Sequence, residues 1–326
     1  MINLKKILCP VDLSKPSLVA LKFANAVAGR YRSSLTVIHV LQNPHADIPG
    51  GGTGAFSFGE LVDLYKEERQ EEIIDVLKQG DRHSPHYEII FREGTPYDQI
   101  AGTAKEIEAD MIVMSSATGQ SGMLIGHTTE RVVRLAPCPV LSLQTGHDKE
   151  KQKEISELND LMDLSPEAKR IILLPTDFSD HSILAGKYAT SLAKEYEAEL
   201  IVLHVIENVA ELSLTSSVDL PGYNTASIYY NDLLQSVQDR MKNLCDEIAQ
   251  QEVEVSSQIV YGNPRHEILG IAESENVDMI VMGTHGRRGF SRFINGSVAE
   301  AVVSNALCSV LSVKHPEHDF IDSADK

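Results

Sequence analysis

Gly283-x2-Gly286-x9-Gly296-Ser297 stands directly behind the apolar run Met279-Ile280-Val281-Met282. Glycines leaving a parallel strand let the backbone take unusual dihedrals and present its amides to an anion such as a phosphate. Gly296-Ser297 then opens a helix expected to run to Val303. Its N-terminus offers N–H groups without intrahelical partners, a partial positive charge and, from the serine, a further donor. Arg287, Arg288 and Arg292 lie between the glycines, and no acidic residue occurs from Met279 through Ala299. In a chain of net charge −18 that reversal of sign is the main charge signal, the competing reading being three solvated surface arginines. His285, in the same loop, either donates to a phosphate or is an exposed loop histidine.

Asp177 supplies a complementary piece. It follows Ile171-Ile172-Leu173-Leu174-Pro175-Thr176, an apolar run expected to be a first strand. A carboxylate there can bond ribose hydroxyls or help hold a divalent ion near phosphates, and it can equally cap a helix or accept within a turn. The matching position of the first half is Asp12, which favours some shared structural duty. His39 and His204 end the second strands and read as packed histidines, and Val205 is placed to offer backbone groups and an apolar edge to a base. His83-Ser84-Pro85-His86 is weak as a metal signal.

These residues belong to an architecture stated twice. Lys6-Ile7-Leu8-Cys9-Pro10-Val11-Asp12-Leu13-Ser14 returns as Ile171-Ile172-Leu173-Leu174-Pro175-Thr176-Asp177-Phe178-Ser179. Gly94-Thr95-Pro96 answers Gly262-Asn263-Pro264, and Asp110 to Met114 answers Asp278 to Met282. Leu35 to Val40 and Leu200 to Val205 read as strands buried on both faces. Ser17 to Tyr31 and Ser182 to Tyr196 read as helices, each opened by a capping serine. Leu234, Val237, Met241, Leu244, Cys245 and Ile248 fall at helical spacing and read as a core stripe. Strands alternating with helices, five strands per half, predict an α/β chain of two doubly wound parallel sheets covered on both faces. Ligands then belong outside the carboxyl ends of the strands.

At 326 residues, two domains of ordinary size are expected: 1–145, a linker at 146–168, 169–314 and a polar tail at 315–326. Ile155, Leu158, Leu161 and Met162 suggest a short helix in the linker, while Gln42 to Gly59 and Glu207 to Tyr230 read as lids or as surface loops without a role. The balance of 29 Lys and Arg against 47 Asp and Glu repels nucleic acid and anionic membrane. With no long apolar segment and no cleavage-site pattern, the chain is expected in the cytoplasm. Cys9, Cys138, Cys245 and Cys308 form no CxxC pair and read as buried thiols, with a disulfide or zinc site as the alternative.

On the glycine signature, with Asp177 and Val205 in order, the chain resembles the universal stress proteins in their tandem, two-domain form. The second half matches the family's ATP-binding pattern G-2x-G-9x-G-(S/T) without a gap. The resemblance implies ATP, or AMP or ADP, across the strand ends of the second domain, accompanied by magnesium or manganese. Pro175, Thr176, Asp177 and Val205 would surround adenine and ribose, Gly283, His285, Gly286, Gly296, Ser297 and Val298 would hold the phosphates, and Met282 and Arg287 count among the nucleotide-binding residues. It also implies pairing of the final strands, Val140 to Leu143 against Val310 to Val313, as an internal pseudo-dimer, with further homodimerisation and an unidentified protein partner open.

The first half departs from the pattern: Ser115 replaces the first glycine, Thr118 the second, the loop before Gly126 is two residues shorter, and His127 stands in the serine's place. Without basic residues in that loop, a triphosphate would lean on exposed amides and helix dipole, worth roughly 0.3–1 kcal/mol per contact. The first domain is therefore expected to lack ATP or to hold a different ligand. Three functions follow: a nucleotide-binding stress-response protein, a slow ATP hydrolase, or a structural interaction module without nucleotide. The hydrolase is opposed by a signature loop that carries no carboxylate to orient water.

Overall fold

A computed structural model of the chain describes residues 2–42, 58–79, 86–116, 126–144, 170–207, 225–284 and 298–314, the side chains of 126–127 and 225–231 excepted. The first half runs β1 (Lys6–Pro10), α1 (Lys15–Tyr31), β2 (Ser34–Leu41), α2 (Phe58–Lys78), β3 (Tyr87–Glu93), α3 (Pro96–Glu106), β4 (Met111–Ser115), α4 (Gly126–Leu135) and β5 (Val140–Leu143). The second repeats it as β6 (Ile171–Pro175), α5 (Asp180–Tyr196), β7 (Glu199–Ile206), α6 (Thr225–Ala249), β8 (Val255–Tyr261), α7 (Pro264–Ser274), β9 (Met279–Gly283), α8 (Val298–Asn305) and β10 (Ser309–Val313). The described residues fall into two compact units, one from Met1–Ser165 with Ser309–Lys326, the other from Pro166–Cys308.

In the first unit the strand order is β3-β2-β1-β4-β5-β10. The pairs among β1 to β5 are parallel, while β10 lies antiparallel on β5 in the register Val310↔Ser142, Leu311↔Leu141 and Ser312↔Val140. The final strands of the two sequence halves therefore pair as their resemblance implied. The second unit has the order β9-β6-β7-β8, with every described pair parallel. In each unit the first strand of the repeat has the second on one side and the fourth on the other, so the order of strands reverses beside it. Helical crossovers leave a crevice at such a reversal, outside the carboxyl ends of the strands.

The repeat extends to backbone conformation. Leu13 and Phe178, Arg32 and Glu197, and Glu108 and Asn276 are matching non-glycine residues with positive φ, and Gly94 and Gly262 share the same sign at φ 126° and 156°. Arg32 and Glu197 end α1 and α5 in the left-handed conformation, each returning its N–H to a helical carbonyl, Ala28 O and Ala193 O. Asp110 accepts the amides of Lys5 and Lys6 at 2.7 and 2.8 Å, and Asp278 that of Ile171 at 2.8 Å. That carboxylate ties the start of the first strand to the start of the fourth, which is why the aspartate recurs.

The first helix of each repeat begins earlier than its serine pattern predicts. α1 is capped by Ser14 and α5 by Ser179, and the expected openers Ser17 and Ser182 are the residues whose amides those caps receive, at 3.4 and 3.3 Å. Both are buried in the first turn and return their own hydroxyls to Ser14 O and Ser179 O. The α6 stripe is core at Val237, Met241 and Ile248, with Leu234, Leu244 and Cys245 partly covered.

Cys9 and Cys138 are buried, Cys245 and Cys308 half-buried, and all four are free thiols. Burial pushes each thiol upward, Cys308 to about 12, so they carry little thiolate at neutral pH. Of the two supposed lids, Phe58 and Gly59 already belong to α2 and Thr225 to Tyr230 to α6. Residues 43–57, 208–224, the linker helix at 155–162, the tail at 315–326 and His83 to Pro85 lie outside the described residues. Among the described residues, no helix is long and apolar enough to cross a membrane.

Candidate functional site at the end of the sixth strand

The second unit gathers three strand ends at one edge. Pro175 closes β6 and pairs with Leu203 of β7, two residues short of Val205, and the register Leu173↔Ile280 carries Met282 alongside the same end. Pro175 and Met282 are buried and Val205 is half-buried.

Beyond Pro175 the chain makes a tight, heavily bonded turn. Thr176 N donates to Leu203 O at 2.8 Å, continuing the ladder one residue past the strand. Its buried hydroxyl accepts Phe178 N at 3.0 Å and donates to Ser182 Oγ at 3.1 Å. Asp177 Oδ1 accepts both the amide and the hydroxyl of Ser179, at 3.0 and 2.6 Å. The same serine caps α5, so the carboxylate is fixed to the helix N-terminus, where negative charge is favoured. Phe178 sits in the left-handed region at φ 58°, a conformation of order 1 kcal/mol above the usual wells for a bulky residue.

Gly283 meets this turn from β9. A Cβ there would lie 2.9 Å from the carbonyl carbon of His181 and 3.0 Å from its oxygen, in the first turn of α5. The spacing suggested backbone freedom for this glycine; the geometry supplies another reason, the close approach of a strand end to a helix start. Thr284, the next residue, is buried, and Val298 begins α8 half-buried. The structure thus brings Pro175, Thr176, Asp177, Val205, Met282 and Gly283 to one edge, and Val298 opens the helix beyond the signature. His285, Gly286, Arg287, Gly296 and Ser297 lie outside the described residues.

Sequence reasoning read His204 only as a packed histidine and did not single out the roles of Phe178 and Arg240, and all three shape the site. His204, half-buried, donates Nδ1–H to Thr176 O at 2.7 Å, since a carbonyl can only accept. Its ring lies on Phe178 with centroids 4.7 Å apart at 34°. From α6, Arg240 places its guanidinium 4.4 Å from the other ring centre and donates Nη2–H to Phe178 O at 3.4 Å. The repeat gave one signal for this set, the paired His39 and His204; the position of Arg240 on a helix face gave none.

The first unit repeats part of the arrangement. Asp12 Oδ1 accepts the amide and hydroxyl of Ser14 at 3.0 and 2.5 Å, and His39 donates to Val11 O at 2.7 Å. Burial is the largest single influence on the Asp12 carboxyl and pushes it up, but hydrogen bonds from Ser14, Ser17 and nearby amides together hold it below the usual range. Val11 lacks the hydroxyl that braces the second turn, and Ser115 stands at the end of β4, its carbonyl accepting Thr129 Oγ1 at 3.1 Å. Thr118 lies outside the described residues, as does the His127 side chain.

The described donor set is one carboxylate beside a helix start, with apolar strand-end residues around it. No cluster of three or more His, Cys, Asp or Glu able to hold a metal occurs among the described residues.

A family model for the "Universal stress protein family" matches residues 3–143 and 169–314. Universal stress protein MJ0531 of Methanocaldococcus jannaschii is 35% identical over 148 residues, 45% of this chain and 84% of that protein. Universal stress protein YxiE of Bacillus subtilis is 34% identical over 145 residues, 44% of this chain and 97% of its own. Among solved structures, a universal stress protein from Archaeoglobus fulgidus superposes with TM-score 0.64 at 22% identity, covering 96% of this chain and 97% of that one. Two copies of the fold, each with an aspartate turn at the strand-order reversal, and two separate family matches have one meaning: the chain belongs to the universal stress protein family, in its tandem form.

Proposed function

We propose that the second domain, residues 169–314, binds an adenine nucleotide, ATP in the first instance and AMP or ADP otherwise. The observation that carries this reading is the braced Asp177 turn at the reversal of strand order, tied to the start of α5 and met by Gly283. Open α/β sheets take their ligands at such a crevice.

Pro175, Thr176, Asp177 and Val205 surround adenine and ribose, the Asp177 carboxylate accepting from ribose hydroxyls. Met282, Gly283, His285, Gly286, Arg287, Gly296, Ser297 and Val298 form the phosphate end, where amides at the α8 start and the Arg287 charge oppose the phosphate charge. A magnesium or manganese ion enters with the nucleotide, because the described protein groups offer it a single carboxylate. The first domain, 1–145, serves as scaffold or partner surface, the 146–168 segment joins the two, and the paired β5 and β10 belong to an internal pseudo-dimer. The role is that of a cytoplasmic stress-response or signalling protein whose presented surface depends on nucleotide occupancy.

Thermal unfolding with and without ATP and magnesium tests the reading. At one hundred times the dissociation constant, a single site stabilises the native state by about 2.7 kcal/mol. A shift that disappears in Gly286→Asp supports the proposal. Absence of any shift, with no nucleotide found by mass in extracts of the purified protein, leaves the interaction module without nucleotide.

A further inference from the structure

Phe178 follows Asp177 and precedes the Ser179 cap, so its conformation sets where the carboxylate stands. Left-handed backbone at a phenylalanine persists only when its surroundings hold it there. Four contacts reach it: Thr176 Oγ1 on its amide, Arg240 Nη2 on its carbonyl, and on its ring His204, with centroids 4.7 Å apart, and the Arg240 guanidinium, 4.4 Å from the ring centre. Two of the four come from one side chain of α6, whose other described contacts include those with β7 and β8.

Among the described residues, the first unit shows no such tie. The residue matching Phe178 is Leu13, also left-handed at φ 64° but without a ring to stack. The rings near His39 are instead Phe91 of β3, at 5.8 Å, and Tyr65 of α2, at 6.4 Å, and the Arg69 guanidinium, also on α2, lies 4.8 Å from the Tyr65 ring. Histidine, aromatic ring and arginine thus meet at the aspartate turn in the second unit, whereas in the first the arginine lies on a ring of its own helix.

We infer that Arg240 is a positioning residue for ribose recognition: by clamping Phe178 from α6 it fixes the turn that aims the Asp177 carboxylate, and so sets the preference for ribose over deoxyribose. This inference rests on the adenine-nucleotide reading above. Arg240 touches no part of the ligand in it.

Calorimetric titration of the full chain with ATP, 2′-deoxyATP and 3′-deoxyATP, for wild type, Arg240→Ala and Arg240→Lys, tests the inference. A cation over an aromatic face at a solvent-open site is worth a few-fold in an equilibrium constant, so Arg240→Ala should weaken ATP by roughly two- to fivefold. The deoxy analogues, which lack a hydroxyl for the carboxylate to hold, should lose less, so the larger of the two discriminations shrinks, by at most that factor. Arg240→Lys, which keeps the charge but not the planar donor, should recover part of it. A merely structural role would lower the melting temperature and weaken all three ligands alike; an unchanged ribose-to-deoxyribose ratio in Arg240→Ala overturns the inference and leaves the site intact. Failure of wild type to bind ATP overturns the site and this inference with it.

Discussion

Replacing Gly283 with alanine should destabilise the second unit, although the change adds one methyl group at a strand end. The new Cβ would sit 2.9 Å from the His181 carbonyl carbon and 3.1 Å from its Cβ. Non-bonded carbons prefer about 3.5–4.0 Å, so the overlap is of the order of half an ångström or more. Neither side yields easily: β9 is laddered to β6, and the first turn of α5 is fixed by the Ser179 cap and its bonds to Asp177. Forcing a methyl into a filled contact costs roughly 1–3 kcal/mol. For a unit of this size, that lowers the melting temperature by about 3–10 °C. Gly270→Ala is the control, because nothing lies within 4 Å of a Cβ there and the residue is inside α7. It should gain about 0.4–1 kcal/mol through the unfolded state. Thermal unfolding of the full chain, followed by circular dichroism, reads both. A Gly283→Ala variant melting within about 1 °C of wild type would refute the close-approach argument.

Other substitutions probe separate parts of the account. Asp12→Asn should lower stability at neutral pH, and the gap to wild type should close as acid protonates the wild-type carboxyl. Because folding holds that carboxyl low, its contribution is complete above the unfolded value of about 3.9 and lost as pH falls through the folded value, which urea titrations at stepped pH would show. On the paired β5 and β10, Ser142 and Ser312 bury hydroxyls that have no hydrogen-bond partner among the described residues. Ser142→Ala and Ser312→Ala should therefore be neutral or stabilising by up to about 1 kcal/mol in urea unfolding, and a clear loss would mean that those hydroxyls are satisfied in solution. Cys9, buried with its thiol pushed high, should resist alkylation in the native protein and react on unfolding; rapid native labelling would contradict its burial.

The duplicated order of strands and helices could be read from the sequence because buried parallel strands and amphipathic helices have distinct periods, and two copies reinforce each other. Pairing of Val140–Leu143 with Val310–Val313 was legible only through family resemblance, since a short apolar strand does not name its neighbour. The α1 and α5 starts were misplaced by one turn: Ser14 and Ser17, like Ser179 and Ser182, are all plausible caps, and burial of the later serine decides between them. At the site, Asp177 was visible because aspartate after an apolar run is conspicuous. The clamp on Phe178 was not, because left-handed phenylalanine has no sequence signal and Arg240 arrives from a helix about sixty residues further on. Gly283 was found for its place in a signature, whereas the contact that excludes a side chain there depends on strand and helix meeting in space.

The most direct test compares ATP affinity in two aspartate variants of the full chain by calorimetry. Asp177→Ala should weaken ATP at least tenfold, an effect of about 1.4 kcal/mol, while Asp12→Ala leaves it unchanged. Equal affinities for Asp177→Ala and wild type, or an equal loss in Asp12→Ala, would contradict nucleotide binding at the end of β6.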